Sequence, residues 1–246
     1  MNILVAISKT PDTTAKITLK DTGQSIDEGS LSFIMNPYDE WYALVRALEL
    51  QEKLGGKVTL VHVGLGDSET IIRKGLAIGA QEAIRVNAVP ESATMVAHQI
   101  AKVAESGDYD LILLGKESID YNGSSVGAMV AELLNLPFVS YVNHLELEGE
   151  EVILKREIEG GVEACKAATP LVVSAAKGLA EQRIPNMRGI MMAKSKPLQV
   201  IEPVPVSFGA QAVRYELPAE KSGVHLVAAD DMKELVRLLH EEAKVI

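Results

Sequence analysis

Short apolar, β-branched runs alternate along this chain with longer segments of helical period. Residues 2–7 and 57–63 are apolar-rich runs of the kind found in strands that are buried on both faces. Residues 37–54 lie between them, with apolar residues at helical spacing, acidic residues in the first turn and two glycines directly after the end. This order predicts a strand, a helix and a second strand parallel to the first.

The same alternation continues through the first half of the chain. Asp67 or Ser68 is placed to cap a helix through residues 71–80, and strands at 83–86 and 109–115 flank a helix at 93–104. A further helix at 127–136 ends before Pro137. Strands that alternate with helices of this length predict an α/β fold, a mostly parallel sheet with helices on both faces.

The pattern changes after Pro137. Residues 138–147 and 151–157 are β-rich runs separated by Glu148-Gly149-Glu150, which predicts a β-hairpin, and Pro170 introduces another buried strand at 171–176. We therefore expect an α/β domain over residues 1–200, followed by an arm over residues 201–246.

The arm region has its own pattern. Residues 194–218 contain four prolines and few helical signals, which predicts extended connecting chain. Residues 224–246 predict a short strand and an amphipathic helix over 230–244, capped by Asp230 or Asp231. The apolar face of that helix has two interpretations, docking on its own domain or on a partner subunit; it is formed by Met232, Leu235, Val236 and Leu239.

Composition and charge exclude several classes of function. The chain has 24 Lys and Arg against 34 Asp and Glu, a net charge of −10, which disfavours an extended nucleic-acid surface. Cys165 is the single cysteine, so neither an intrachain disulfide nor a cysteine-rich metal site can form, and the five histidines are far apart in the sequence. The start has no basic signal-peptide region and no segment has the length of a transmembrane span, so we expect a cytoplasmic protein.

The loop at residues 115–129 is the strongest candidate for chemistry. Ligands of open α/β sheets bind beyond the carboxyl ends of the strands, and this loop leaves a predicted strand and enters a helix through small and polar residues. Backbone N–H groups and hydroxyls there could hold a phosphate; a flexible Gly/Ser loop is the alternative. The sequence GLG at 64–66 is only a weak match to the dinucleotide fingerprint.

A second candidate segment is Met35-Asn36-Pro37-Tyr38-Asp39-Glu40. Asn36 is placed to cap the helix that follows, and backbone groups of the same segment could also face an adenine. The chain contains no G-x-S-x-G nucleophile elbow and no arguable Cys/His pair. We therefore expect binding or carrying rather than bond-making chemistry.

Several motifs together resemble one family. Residues 156–163 (REIEGGVE), followed by Pro170 and residues 171–174 (LVVS), resemble the signature of the β subunit of electron transfer flavoprotein. Met35-Asn36-Pro37, the loop from Gly115 to Gly127 and residues 189–194 (GIMMAK) resemble other blocks of that family, in family order along the whole chain.

The resemblance implies an adenine-nucleotide-binding, Rossmann-like domain over residues 1–200 and an arm over 201–246 that docks on an α subunit, which holds most of the redox FAD. It implies an electron carrier rather than an enzyme, with acyl-CoA or other flavin dehydrogenases as donors, as in fatty acid β-oxidation, and a membrane quinone oxidoreductase as acceptor. The protein would supply binding while the flavin supplies the redox chemistry. A structural AMP would be bound at Ala6, Asn36, Pro37, Tyr38, Asp39, Val63, Asp120, Tyr121, Asn122, Gly123, Ser124, Ser125, Val126, Gly127, Ala128, Met129, Val130 and Ala131.

Two further features follow from the resemblance. Thr13 occupies a position where some members place a tyrosine against the flavin ring, so it departs from that pattern. Residues 178–189 match the family's partner-recognition loop, in which Met187 is the apolar anchor for the dehydrogenase; a core position is the alternative for this residue. Arg183 and Arg188 would lie beside it and steer acidic partners.

Two alternatives to this function stay open. Electron-bifurcating relatives bind a second FAD in place of AMP, and their loop tends to read Asp-Gly-Asp-Thr-Ala-Gln-Val-Gly-Pro. This chain has DYNGSSVGAM at 120–129, which favours AMP. The other alternative is a stand-alone ATP-binding protein of similar fold.

Overall fold

One large sheet organises the molecule, and its strands alternate with helices. The computed structural model describes residues 1–246 except 21, 22, 24, 150, 208, 211 and 220–222. The strands are β1 (Asn2–Ala6), β2 (Lys9–Pro11), β3 (Phe33–Met35), β4 (Lys57–Val63), β5 (Glu82–Val86), β6 (Leu111–Gly115), β7 (Phe138–Glu148), β8 (Glu151–Ile158), β9 (Gly161–Ala168), β10 (Leu171–Ala175) and β11 (Leu198–Ile201). The helices are α1 (Asp39–Leu54), α2 (Glu69–Ile78), α3 (Ala93–Glu105), α4 (Val126–Leu134), α5 (Met187–Ala193) and α6 (Met232–Arg237).

Within the described residues, nine strands form the main sheet in the order β11-β5-β4-β1-β6-β10-β7-β8-β9. Pairing is parallel from β11 to β7 and antiparallel from β7 to β9. β2 and β3 form a separate antiparallel pair. The predicted α/β class with a mostly parallel sheet is thus confirmed.

Burial on both faces explains the continuous apolar runs of the parallel strands. In β1, Ile3 and Val5 pack with residues of α1 and α2, while Leu4 packs on the opposite face with residues of α3 and α4. All three side chains are fully buried, and such burial stabilises by about 1.5–3 kcal/mol per side chain. In a sheet with one face in water, the strand residues on that face are polar. Both faces of β1 are buried, so the residues on both faces are apolar.

The strand order reverses next to β1. The chain runs from β1 to β4 and β5 on one side, then returns through α3 to β6 on the other side of β1. Ile3 consequently lies between Val58 of β4 and Leu111 of β6. This reversal is the topological switch point, and it brings the ends of β1 and β6 together at the carboxyl edge of the sheet.

The region after Pro137 contains the predicted hairpin and an additional strand. β7 and β8 pair antiparallel, as predicted, with Glu148 opposite Glu151; Glu150 of the predicted turn lies outside the described residues. β9, which the sequence analysis did not predict, extends this hairpin into a three-stranded meander. β10 then returns to pair in parallel with both β6 and β7.

Two expectations for the C-terminal third were wrong. Residues 194–218 are not extended connecting chain throughout, because residues 198–201 form β11, which supplies the hydrogen-bond partners for the outer edge of β5. No strand forms at 224–229 among the described residues, where Leu226 is 86% exposed and therefore has little packing that would stabilise a strand.

The start of the final helix agrees with the prediction that Asp230 or Asp231 caps it. α6 begins at Met232, and the Asp231 carboxylate caps it by accepting from the Glu234 N–H at 3.1 Å. The helix continues as a wider π-type turn over Leu238–Glu242. None of the helices described for this chain is both long enough and apolar enough to cross a membrane.

Candidate functional site

Asn36 joins the two loops that meet at the switch point. The side chain is fully buried; its Nδ2 donates to the Glu117 carbonyl at 2.9 Å, and its Oδ1 accepts from the Ile119 N–H at 3.1 Å. The predicted capping of α1 by Asn36 is therefore wrong. The chain turns at Tyr38, which has φ 65° and no side-chain capping bond, so α1 begins one residue later and the Asn36 amide is directed to the loop after β6.

Glu40, in the first turn of α1, holds the end of β1. Its carboxylate accepts from the Ser8 N–H at 2.7 Å and from the Ser8 hydroxyl at 2.6 Å. Burial raises the pKa of this carboxyl to about 8, although the bonds from Ser8 oppose the shift. The sequence analysis places Glu40 in a candidate segment but does not predict its bonds to Ser8, because two acidic residues in the first turn of a helix are ordinary partners of the helix dipole.

The end of β6 packs tightly on the same turn of α1. A Cβ atom at Gly115 would lie 2.8 Å from Cγ of Glu40 and 3.0 Å from its backbone nitrogen, so only glycine fits there. Asp39, next to Glu40, is also buried, and burial raises its pKa to about 6, while the nearby Lys116 opposes the shift. The start of α1 thus brings two carboxyl groups of raised pKa to the switch point.

Side-chain contacts hold the loop after β6. Lys116 and Glu117 form an ion pair at 3.2 Å, and the Ser124 hydroxyl donates to Glu117 at 3.1 Å. The Tyr141 hydroxyl donates to Ser124 Oγ at 3.3 Å. Asn122 and Ser124 adopt left-handed backbone conformations, with φ of 49° and 47°. Together with Asn36, these contacts give the loop a defined shape.

The loop leads directly into α4, whose first turn has free donors. Ser125 precedes the helix but its side chain makes no capping hydrogen bond. The first N–H groups of a helix have no partner within the helix and carry partial positive charge. Gly127, in this turn, lies against β7, since a Cβ atom there would be 3.0 Å from the ring of Phe138.

The remaining predicted nucleotide positions fall at the same edge. Ala6 and Val63 are the last residues of the neighbouring strands β1 and β4 and are nearly buried. Pro37 and Tyr38 precede α1, residues 120–123 lie in the loop after β6, and residues 126–131 lie in α4. Thr13 is exposed in the turn after β2. The other predicted nucleotide positions lie at the carboxyl ends of β1, β4 and β6 or in the segments that follow these strands and lead into α1 and α4.

His62 is a buried residue of this edge that sequence analysis left as an ordinary histidine. Its Nδ1 is 2.9 Å from the Ile7 carbonyl, and its Nε2 has no hydrogen-bond partner among the residues that the structure describes. Burial lowers the pKa of this imidazole, which favours its neutral form. Within the described ranges, no group of three His, Cys, Asp or Glu side chains is arranged to hold a metal ion.

The predicted recognition loop presents apolar side chains to solvent. Met187, the first residue of α5, is 74% exposed, so it is not a core residue. Ile184 and Met191 are also largely exposed beside it. The Asn186 side chain caps α5 by accepting from the Gly189 N–H at 2.8 Å.

Arginine residues of this loop have different surroundings. Arg183 forms two hydrogen bonds to the Glu52 carboxylate, at 2.6 and 3.1 Å, and its carbonyl accepts from Trp41 Nε1 at 3.2 Å. Arg183 thereby attaches the loop to α1. Arg188 lines a shallow cavity of about 290 Å³ between the loop and the end of α2.

Reciprocal capping holds α5 on α2. Arg73 of α2 donates to the carbonyls of Ala193 and Lys196, at 2.9 and 2.7 Å. Lys196 in turn donates to the carbonyls of Leu76 and Ala80 at the end of α2, at 2.8 and 2.6 Å. The exposed side chains of the loop are therefore carried on a fixed helix pair.

Comparison with known proteins assigns the chain to a family. The family model "Electron transfer flavoprotein domain" matches residues 25–206. The electron transfer flavoprotein subunit beta of Bacillus subtilis is 36% identical over an alignment of 260 positions that covers 100% of both chains. The human protein of the same name is 32% identical over 243 positions, covering 94% of this chain and 95% of its own. That of Thermoanaerobacterium thermosaccharolyticum is 35% identical over 199 positions, with 80% of this chain and 76% of its own covered. Since the family model spans most of the chain and these relatives match 80% or more of it at 32–36% identity, the chain belongs to the electron transfer flavoprotein family, among its β subunits.

Proposed function

We propose that this β subunit pairs with an α subunit, binds AMP at the carboxyl edge of its sheet and serves as an electron carrier without catalytic side chains of its own. The observation that carries the proposal is the bridge made by Asn36 between the start of α1 and the loop after β6. This buried bridge orders the loop at the switch point, where α/β sheets bind nucleotides.

The donor groups at this edge fit a phosphate. The uncapped first turn of α4 offers backbone N–H groups, and the hydroxyls of Ser124 and Ser125 lie directly before it. A helix N-terminus favours a group of negative charge. Lys116 is the nearby cation. Glu40, whose raised pKa of about 8 leaves its carboxyl mostly protonated at neutral pH, adds little negative charge at this edge.

The adenosine part of the ligand would lie against the remaining predicted positions. Residues 36–39 lie at the start of α1, and Ala6 and Val63 end the neighbouring strands β1 and β4. We expect the ligand to stabilise the fold of the subunit, because it would bind the native loops and not the unfolded chain.

The FAD of the α subunit supplies the redox chemistry when it is bound. In this proposal the β subunit helps to hold and orient that flavin, with Thr13 on the side of the flavin. Donor flavin dehydrogenases, among them acyl-CoA dehydrogenases, dock on the Met187 loop, and a membrane quinone oxidoreductase receives the electrons.

The arm and its helix complete the proposed assembly. Met232 and Val236 of α6 are more than half exposed, so an apolar face is left uncovered by this chain. We propose that residues 201–246 form an arm that docks on the α subunit, so that the α subunit covers this apolar face of α6.

Counting the nucleotides of the co-expressed heterodimer tests the proposal. We expect a yellow protein that releases one FAD and one AMP on denaturation, and a β subunit that loses the flavin when it is produced alone. A β subunit that alone keeps a full complement of flavin and no AMP would contradict the proposal. Two FAD molecules and no AMP per heterodimer would instead support the electron-bifurcating alternative.

A further inference from the structure

Ser8, between β1 and β2, uses each of its polar groups to join the end of β1 to the segment that leads into α1. Its N–H and its hydroxyl donate to the two carboxyl oxygens of Glu40, at 2.7 and 2.6 Å. Its carbonyl accepts from the Asn36 N–H at 2.9 Å. A serine has one N–H, one carbonyl and one hydroxyl, so all three groups of Ser8 are engaged with residues 36 and 40.

The connection continues through Asn36 to the loop after β6. The backbone of Asn36 is bonded to Ser8, and its buried side chain is bonded to that loop. The Asn36 amide donates to the Glu117 carbonyl at 2.9 Å and accepts from the Ile119 N–H at 3.1 Å. Hydrogen bonds therefore run without interruption from the Glu40 carboxyl, through Ser8 and Asn36, to the backbone of the loop.

Glu40 also contacts the start of the same loop directly. A Cβ atom at Gly115, the last residue of β6, would lie 2.8 Å from Cγ of Glu40. Further along the loop, Asn122 and Ser124 have left-handed backbone conformations, which are sparsely populated for residues other than glycine and persist only where surrounding contacts hold them. The contacts of Glu40 and Asn36 supply such support to the first half of the loop.

We propose that Ser8 and Glu40 are positioning residues of the nucleotide site, which hold Asn36 against the loop after β6 and so slow the release of the bound nucleotide. This inference rests on the proposed binding of a nucleotide at that loop. Neither residue is among the predicted nucleotide positions. They act through Asn36, whose bonds fix the part of the loop that precedes the free donors of α4.

The charges around Glu40 explain why a hydroxyl suits it as a partner. The nearest cations along the chain have other partners, since Lys9 pairs with Asp67, and Lys116 pairs with Glu117. Burial raises the pKa of Glu40, so its carboxyl takes up a proton more readily than an exposed one. A serine hydroxyl can donate to an ionised carboxylate and can accept from a protonated carboxyl. The bond between Ser8 and Glu40 is therefore kept in both protonation states.

The test uses the heterodimer of this chain with its α subunit, reconstituted with radiolabelled AMP. Ser8→Ala removes the hydroxyl that binds Glu40 and leaves the backbone groups in place. We expect this variant to release AMP about 5-fold faster than the parent, the factor expected for the loss of one net hydrogen bond. Ser8→Thr keeps a hydroxyl at the same position, so it should restore release to near the parental rate.

Ser106→Ala is the matched control. The Ser106 hydroxyl donates to the Val103 carbonyl at 2.7 Å, at the end of α3, which lies at the opposite edge of the sheet from the nucleotide site. This variant also loses one serine hydroxyl and one hydrogen bond. It should release AMP at the parental rate.

Hydrogen exchange follows the connection through Asn36. The Ile119 N–H, which donates to Asn36, should exchange faster in Ser8→Ala than in the parent, in Ser8→Thr or in Ser106→Ala. The N–H of Leu113, in the middle of β6, should exchange at the parental rate in all of them. A general loss of stability would instead accelerate exchange at both positions.

The outcomes separate this inference from the proposed function. If the parent retains AMP, then unchanged release in Ser8→Ala, equal release in Ser8→Ala and Ser8→Thr, or unchanged exchange at Ile119 would contradict the positioning role and leave the nucleotide site standing. If the parent retains FAD at this site in place of AMP, the same rates are measured for FAD with the same expectations. A parent heterodimer that retains neither nucleotide would contradict the proposed function itself.

Discussion

Glu40 is the residue whose ionisation most directly couples the candidate site to the stability of the fold. Its carboxyl is buried, and burial raises the pKa to about 8, above the value of 4.5 for an exposed glutamate. Between these two values the folded protein binds more protons than the unfolded chain. Stability from this group is therefore fully present below pH 4.5 and is lost as the pH rises through about 8.

Glu40→Gln tests this dependence. The variant has no ionisable group at this position. Its thermal midpoint should therefore rise relative to that of the parent as the pH increases from about 5 to about 8, by an amount equivalent to at least about 1 kcal/mol in the free energy of unfolding. Differential scanning calorimetry at several pH values measures the change. Glu49→Gln, on the exposed side of the same helix, is the control. A pH-independent difference for Glu40→Gln would show that Glu40 is already ionised when buried.

At the scale of elements, the pairing of α5 with α2 determines how the recognition loop is presented. Arg73 of α2 donates to the carbonyl of Ala193 at the end of α5, and Lys196, just after α5, donates to a carbonyl near the end of α2. Gly189 allows the two backbones to approach closely. A Cβ atom at Gly189 would overlap the Ala77 carbonyl oxygen. The position of Met187 is thus set by backbone packing as well as by side chains.

Gly189→Ala is expected to displace α5 from α2. Because the overlapping atom is a backbone oxygen, the helix pair must shift, at a cost of about 1–3 kcal/mol in the free energy of unfolding. Chemical denaturation measures this loss. Gly66→Ala is the matched control, since open space surrounds that position, and it should change stability by less than about 0.5 kcal/mol. Equal effects of the two substitutions would contradict the close packing of α5 on α2.

Met187→Ala tests the docking role of the same element. Removing an exposed apolar anchor should raise the KM for the donor dehydrogenase about tenfold and leave the flavin content unchanged. Steady-state kinetics with the reduced donor provide the measurement. Val162→Ala, which likewise removes an exposed apolar side chain but lies on β9, is the control and should leave donor kinetics at the parental level. Parental kinetics for Met187→Ala would remove the recognition role.

The sequence predicted those elements that periodicity encodes. The runs of the parallel strands and the helical repeats of α1 to α4 led to the correct class, because burial on one or both faces leaves a pattern in the chain. β11 has no such pattern, since it is a short edge strand that forms only because β5 offers it partners. The hydrogen bonds of Asn36 join residues far apart in sequence, so the local capping rule that applied to it gave the wrong role.

At the scale of the whole molecule, the sheet extends beyond the expected domain end at residue 200. β11 continues to Ile201, and Gln99 binds both the N–H and the carbonyl of Val204. A chain that ends at residue 206 keeps both features, whereas one that ends at residue 197 loses the strand and leaves the outer edge of β5 unpaired. Unpaired strand edges favour association with other chains.

We therefore expect the two shortened chains to differ in solution. The chain ending at residue 206 should stay monomeric at a concentration at which the chain ending at residue 197 aggregates, as measured by size-exclusion chromatography with light scattering. Circular dichroism should detect near-parental sheet content only in the longer chain. Identical behaviour of the two would mean that β11 is not needed to close the sheet.

The insertion of β10 between β6 and β7 constrains the order of events during synthesis. β7, β8 and β9 leave the ribosome before β10, yet among the described strands only β10 pairs them with the parallel strands made earlier. Until Ala175 has emerged, the main sheet is in two parts, and each part has an open edge. We expect protection by a chaperone to matter most for nascent chains in which Ala175 has not yet emerged.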